Sequence, residues 1–335
     1  MIQEVYKDIY MFPASLPNNP LREINIFVIK GKDRNVIFDT GFNKPESKQD
    51  LIDGLKALGL EVSDVDLVLS HLHSDHTGLA SMFSDAGCRV YAGPIDGKLM
   101  NAMSTESYWE DVNSTKILYG LAENETQITD HPGYNFKLDR PVDFIPLEPG
   151  QMFKVGDYDF EVLDLKGHTP GHIGLYERKH RLLISADTIL DPITPNITFW
   201  GFEYEDILGT YMDTLRMLEK LDIDIAFPTH RKIITNHKER IDQLIKHHFI
   251  RLQEILDAMN HNDEYTVRDI SSVISWRIKA DGWDNFPKAQ KWFATGETMS
   301  HMEYLVNRRY LSMRDDNGTL KFTKKKDRIL QKVIY

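Results

Sequence analysis

Within six residues the chain reads His71-Leu72-His73-Ser74-Asp75-His76. Three imidazoles and a carboxylate so close together make a poor core pattern, because such groups are rarely buried without partners. They make a good metal-binding pattern, because imidazole nitrogen and carboxylate oxygen suit zinc and similar transition metals. The preceding VDLVLS (65–70) reads as a short strand buried on both faces. An extended strand end sends alternate side chains the same way, so His71 and His73 can face one ion. A turn after them lets Asp75 and His76 face a second point nearby. Four residues cannot fill two coordination shells, so further ligands must come from elsewhere. The best candidates are His168 in GHTPGH, Asp187 in SAD and His230 in PTH, each ending or following an apolar strand.

The elements that must position these residues come in two runs. INIFVIKG (24–31) and NVIFDTG (35–41) read as a hairpin joined by a polar turn, and KQDLIDGLKALG (48–59) carries helical spacing up to Gly59. CRVYAG (88–93) is another strand. Residues 95–140 are rich in Met, Tyr, Trp and Asn and read as an inserted helical cap. Strands resume at FEVLDLKG (160–167), HTPGHIGLYE (168–177) and RLLISAD (181–187). An amphipathic helix follows at 205–221, then the strand IDIAFPTH (223–230). Helices are expected at 238–259, 266–275 and 297–311, and a hairpin at 312–323 turning on Asn317-Gly318. Strand–helix units that occur twice, with polar residues just past strand ends, predict a two-sheet α/β sandwich with its site on loops at one edge.

The ordered set FDTG, SHLHSDHTG, GHTPGH, SAD and PTH resembles the metallo-β-lactamase superfamily over residues 1–230. The resemblance implies an αββα sandwich over 1–237, with 95–140 as an insertion, followed over 238–335 by a small, mainly helical, winged-helix-like domain. It implies that His71, His73 and His168 bind a first metal, that Asp75, His76 and His230 bind a second, and that Asp187 bridges them. Asp39 matches an aspartate that braces the metal loops, and His172 an orienting residue rather than a ligand. Arg231 departs from the pattern, standing where glycine is frequent. The implied cofactors are two divalent ions, zinc first, with iron or manganese as alternatives. Asp75 is the expected catalytic acid–base residue, and no residue is singled out for substrate binding.

The metal-loop sequence is similar to that of lactonases and glyoxalase II-like thioesterases, so the expected reaction is hydrolysis of an ester-like bond in a small molecule. Met100, Met103, Tyr108 and Trp109 of the insertion could line an apolar acyl pocket or simply pack the insertion onto the body. Two other activities are set against this one. The first is RNA cleavage, with the C-terminal module as a grip. Residues 231–335 carry 20 basic and 14 acidic residues, but the preceding 230 carry 20 basic and 37 acidic, and such a body repels nucleic acid. The second is sulfur oxidation at a single iron. Trp276, Trp283 and Trp292 read as core or interface residues rather than base-stacking platforms, and a homodimer is a further expectation. The chain is 41% hydrophobic with mean hydropathy −0.41, and no apolar run approaches the roughly 20 residues that span a bilayer. With no basic-then-apolar leader at the N-terminus and Cys88 as the single cysteine, a cytoplasmic location is expected, with Cys88 a small buried apolar residue.

Overall fold

Strands that are apolar on both faces must be covered on each side. The computed structural model, which describes residues 2–329, meets this with two sheets packed face to face and helices outside both. The first sheet runs in the order β1 (Gln3–Tyr6), β2 (Ile9–Ser15), β3 (Glu23–Ile29), β4 (Asn35–Phe38), β5 (Val65–Leu69), β6 (Val90–Ala92) and β7 (Ile145–Pro146). The second runs β12 (Ile225–Phe227), β11 (Leu182–Ile184), β10 (Ile173–Glu177), β9 (Tyr158–Asp164) and β8 (Met152–Val155). The pleat sorts the side chains. Phe27 and Ile29 of β3 join the core between the sheets, whereas Ile26 and Val28 face the outer helices. Leu182 and Ile184 of β11 likewise point inward while Leu183 points outward. Phe27 and Phe227 meet across the sandwich with ring centroids 5.5 Å apart.

Helices α1 (Pro45–Ala57), α3 (Ala80–Asp85), α4 (Pro94–Met103) and α5 (Glu106–Tyr119) cover the first sheet, while α2 (Ser74–Thr77) and α6 (Pro132–Asn135) are single turns. Residues 95–140 contain most of α4 and all of α5 and α6. Met100, Met103 and Trp109 are buried in the core shared with the first sheet, so for these three packing prevails over pocket lining. Cys88 is half-buried, and its Sγ donates to the Val62 carbonyl at 3.1 Å. Burial and then Asp66 push its thiol up, which disfavours the thiolate.

The second sheet is covered by α7 (Ile207–Glu219), α8 (His237–Asp257), α9 (Val267–Ser271), α10 (Lys288–Asn307) and the hairpin β13 (Leu311–Asp316)–β14 (Thr319–Lys324). One apolar cluster runs from Leu208 and Leu215 on α7 through Leu244 and Leu252 on α8 and Met299 and Met302 on α10 to Phe322 on β14. The C-terminal elements therefore share a core with the sandwich. Trp283 and Trp292 are buried in the protein interior, and Trp276 packs under the Arg251 guanidinium at 4.3 Å.

Several elements depart from the sequence reading: β8 has no counterpart in it, α9 ends at Ser271 rather than at 275, and β10 begins only at Ile173. Helix α10 starts at Lys288 rather than at 297, because it is buried on nearly every side from Lys291 to Leu305 and so lacks the polar stripe that marks a surface helix. The N-terminal hairpin went unread because Pro13 sits in β2. β1 pairs β2 only as far as Met11, so at Pro13 the missing N–H faces no neighbouring strand. The shared core gives a direct expectation. Leu215→Ala and Leu252→Ala, both fully buried, should each cost about 2–5 kcal/mol and shift the same single transition in urea unfolding followed by circular dichroism. Separate transitions would show that the C-terminal elements fold on their own.

Candidate metal centre

Strand β5 ends at Leu69, and the next seven residues form the floor of the site. His71 follows in a bend, His73 lies on extended backbone at the start of α2, and α2 then turns Asp75 and His76 back toward them. His71 Nε2 and His73 Nδ1 are 3.0 Å apart. From the second sheet, His168 follows β9, Asp187 follows β11 and His230 follows β12. All seven residues converge. Three groups have one ligand atom per residue, all within 4.8 Å of one another: His71, His73 and His168; His71, His76 and Asp187; and Asp75, His76 and His230. Asp187 Oδ2 lies 3.6 Å from His76 Nε2, 3.6 Å from His168 Nε2 and 3.7 Å from His230 Nε2. His230 Nε2 is 3.3 Å from Asp75 Oδ2.

These residues fit metal ions. Bonds of about 2.1 Å to a tetrahedral ion place its ligand atoms roughly 3.4 Å apart, and the facing atoms here are 3.0–3.8 Å apart. Nε2 of His76, His168 and His230 is buried without a hydrogen-bond partner among the described residues. In each of these rings Nδ1 is already engaged: His76 with Asp39 Oδ2 at 2.8 Å, His168 with the Asn196 carbonyl at 2.8 Å and His230 with the Glu23 carbonyl at 3.1 Å. A carbonyl only accepts, so the proton sits on Nδ1 of His168 and His230 and the Nε2 lone pair faces inward. Thr229 Oγ1 donates to Asp187 Oδ1 at 2.6 Å, which leaves Oδ2 for the centre.

Asp39 lies behind the loop that carries His71 and His76. It accepts from Ser70 N at 2.8 Å and Ser70 Oγ at 2.7 Å, and Ser70 Oγ is also 2.9 Å from His71 Nδ1. His172 stacks on His71 with ring centroids 4.7 Å apart, and its Nδ1 is 3.4 Å from Thr188 Oγ1. Three residues beside the site adopt left-handed backbone: Asp39 (φ 61), Ala186 (φ 42) and Arg231 (φ 69). Such conformations cost about 1–3 kcal/mol each. At Arg231 this explains why glycine is the easier residue, and the Asn25 amide donates to the Arg231 carbonyl at 3.1 Å. Gly78, which closes the SHLHSDHTG run, lets another loop approach: an added Cβ would lie 2.5 Å from Asn43 N.

Burial sets the charge pattern. It lowers His71 well below the ordinary imidazole range and His73 to about 3, so both are neutral donors. Burial also works against a charge on His76, but Asp75, Asp39 and Asp187 outweigh it and hold His76 well above its usual value. Asp187 and Asp75 would be raised by burial, yet the neighbouring histidines dominate, holding Asp187 well below its ordinary value and Asp75 down to about 2. The carboxylates are thus ionised and ready to ligate.

A residue that joins two of the site's loops bears no mark in the sequence. Asp96, on the first turns of α4, is buried and accepts from Leu72 N at 3.1 Å, Thr169 Oγ1 at 2.5 Å and Gly171 N at 2.6 Å. It ties the loop of His71 and His73 to the loop of His168. Burial pushes its carboxyl up to about 7 against the pull of these hydrogen bonds. In sequence, an aspartate just after Pro94 reads as an ordinary helix-start residue, and no signal separates it from one.

A profile described as the Metallo-beta-lactamase superfamily matches residues 19–230. The chain is 26% identical over 230 residues to the probable metallo-hydrolase YqjP of Bacillus subtilis, covering 66% of this chain and 71% of that one. It is 23% identical over 220 residues to the acyl-coenzyme A thioesterase MBLAC2 of Gallus gallus, covering 62% and 72%. The crystal structure of a metallo-beta-lactamase family protein from Thermus thermophilus superposes with a TM-score of 0.80 at 23% identity, covering 96% of this chain and all of that one. That likeness of fold therefore includes the C-terminal elements.

Asp96→Ala strands three buried donors at about 1–3 kcal/mol each. It should lower the unfolding free energy in urea by about 3 kcal/mol or more, and Asp96→Asn, which keeps one acceptor, should lose less. Equal stability of the alanine variant and the unmodified chain would show that Asp96 does not clamp the loops.

Proposed function

The chain belongs to the metallo-beta-lactamase superfamily, and from that premise we propose that it is a metal-dependent hydrolase of a small ester-like substrate, a thioester first and a lactone second. The observation that carries the reading is the ring of buried, unpartnered imidazole Nε2 atoms around Asp187 Oδ2. His71, His73 and His168 would hold one divalent ion and Asp75, His76 and His230 a second, with the Asp187 carboxylate placed among both groups. When bound, such ions, zinc foremost, supply a water acidic enough to attack at neutral pH and stabilise the charge that develops on the substrate oxygen.

The chain's own groups do the rest. Asp75 is less buried than His76 or His230, and its Oδ2 already sits beside His230 Nε2. Its carboxylate orients the attacking water, takes its proton and passes it to the leaving sulfur or oxygen. Hydrolysis then yields a carboxylate and a thiol or alcohol, with no Ser or Cys nucleophile needed. Trp200, whose ring lies 5.8 Å from the His73 ring, sets an apolar surface beside the site and favours a substrate with an apolar acyl part. The acyl-coenzyme A thioesterase among the relatives supports the same substrate class.

No comparable feature favours RNA. In a winged helix the recognition helix enters the groove, and here the helix before the hairpin, α10, is covered on nearly every side. No described helix is long and apolar enough to cross a membrane.

Zinc-loaded enzyme should hydrolyse short and medium acyl-CoA thioesters faster than lactones and leave single-stranded RNA uncut. Asp75→Ala should lower kcat by about 10²–10⁴-fold. Full activity in that variant would overturn the proton role of Asp75. One iron and no zinc in protein purified without added metal would overturn the hydrolase reading itself.

A further inference from the structure

His168 is held by something outside the sandwich. The Asn196 carbonyl, which fixes its Nδ1 proton, lies in the loop between β11 and α7. That loop is docked on α10. Asn196 Nδ2 donates to Glu297 Oε2 at 2.7 Å and toward the Phe293 carbonyl at 3.4 Å. The Ile197 carbonyl accepts from Ser300 Oγ at 2.5 Å, and Phe199 N donates to the Gly296 carbonyl at 3.0 Å. At Gly296 an added Cβ would come within 2.0 Å of Thr198 Oγ1, so the loop lies directly on the helix there. Trp200 completes the strip by donating its indole N–H to the His168 carbonyl at 3.2 Å. Residues 196–200 therefore touch α10 on one side and His168 on the other.

Glu297 is the polar anchor of this contact. Its residue is 8% exposed, and its nearest cation, Arg251 Nε, is 3.9 Å away, beyond hydrogen-bond reach. A carboxyl so placed is costly to bury. The donor it does have is the side chain of the residue whose carbonyl orients His168. We propose that Glu297 is a positioning residue of the metal centre: acting through Asn196, it fixes the tautomer and direction of His168, and α10 is thereby a working part of the site. This rests on the reading of His168 as a ligand.

The test is zinc affinity of the full, metal-free chain, measured by titration against a chromophoric chelator. Glu297→Ala and Asn196→Ala should each weaken one of the two zinc ions about 10–100-fold. The double variant should be no weaker than either single one, since both break the same tether. Glu297→Gln keeps an acceptor oxygen for the Asn196 amide and should bind zinc like the unmodified chain. The proposal is overturned if Glu297→Ala binds both ions with unchanged affinity, even with a lower melting temperature, or if Gln and Ala at 297 weaken zinc equally. Should Glu297→Ala fail to fold, Asn196→Ala carries the same test, because Asn196 is half-buried in a loop and its backbone carbonyl survives the substitution. His168→Ala separates the two readings. Loss of an ion there with none lost at Glu297→Ala sinks only the tether, whereas full zinc binding in His168→Ala sinks the ligand assignment and the tether with it.

Discussion

A buried imidazole nitrogen with no hydrogen bond is an unfavourable thing to build, and this fold gathers several of them around a single carboxylate oxygen. Nε2 of His76, His168 and His230 all face Asp187 Oδ2 at 3.6–3.7 Å. Much of what surrounds the site follows from holding that arrangement. Each ring has to be fixed from its other nitrogen, so each requires an acceptor placed behind it. Asp39, the Asn196 carbonyl and the Glu23 carbonyl are those acceptors. They come from the loop after β4, the loop between β11 and α7, and the start of β3. Orienting three histidines thus draws on both sheets at once.

The strain beside the site has the same origin. Two sheets bring strand ends to one edge, but their loops must then bend sharply inward within a few residues. Asp39, Ala186 and Arg231 bend by adopting left-handed backbone, and Gly78, in ordinary right-handed backbone, leaves room for Asn43 by lacking a side chain. Asp96 holds the result together with three hydrogen bonds across two of these loops. Such cross-loop hydrogen bonds suit a centre whose ligand atoms must be held within about 0.5 Å of their places.

How much of this the sequence discloses depends on the range of the interaction. The strand ends are local and periodic, so VDLVLS before His71 and the strand before His230 could be read directly, as could the sandwich and the convergence of the seven polar residues. The acceptors behind the rings are long-range and often backbone. Nothing near Asn196 marks its carbonyl as the partner of His168, 28 residues away in sequence, because every residue carries such a carbonyl. Asp96 is hidden for a different reason: an aspartate near a helix start has a common local use, and its tertiary use leaves no trace in spacing. Pro13 and the buried α10 misled in the opposite sense, each lacking the ordinary mark of the element it belongs to.

The burial of α10 also changes what the C-terminal elements are for. A helix that reads a groove must keep one face free, and α10 keeps almost none from Lys291 to Leu305. Its polar residues turn instead toward the interior. Ser300 and Glu297 meet the loop behind His168, His301 Nε2 lies 3.0 Å from His248 Nδ1 on α8, and the amide of Phe199 reaches the carbonyl of Gly296. A mildly basic stretch of sequence suggests a polyanion partner only while its helices are pictured with their surfaces open. Once α7, α8 and α10 share one core, the inner face of the C-terminal elements is committed to the sandwich.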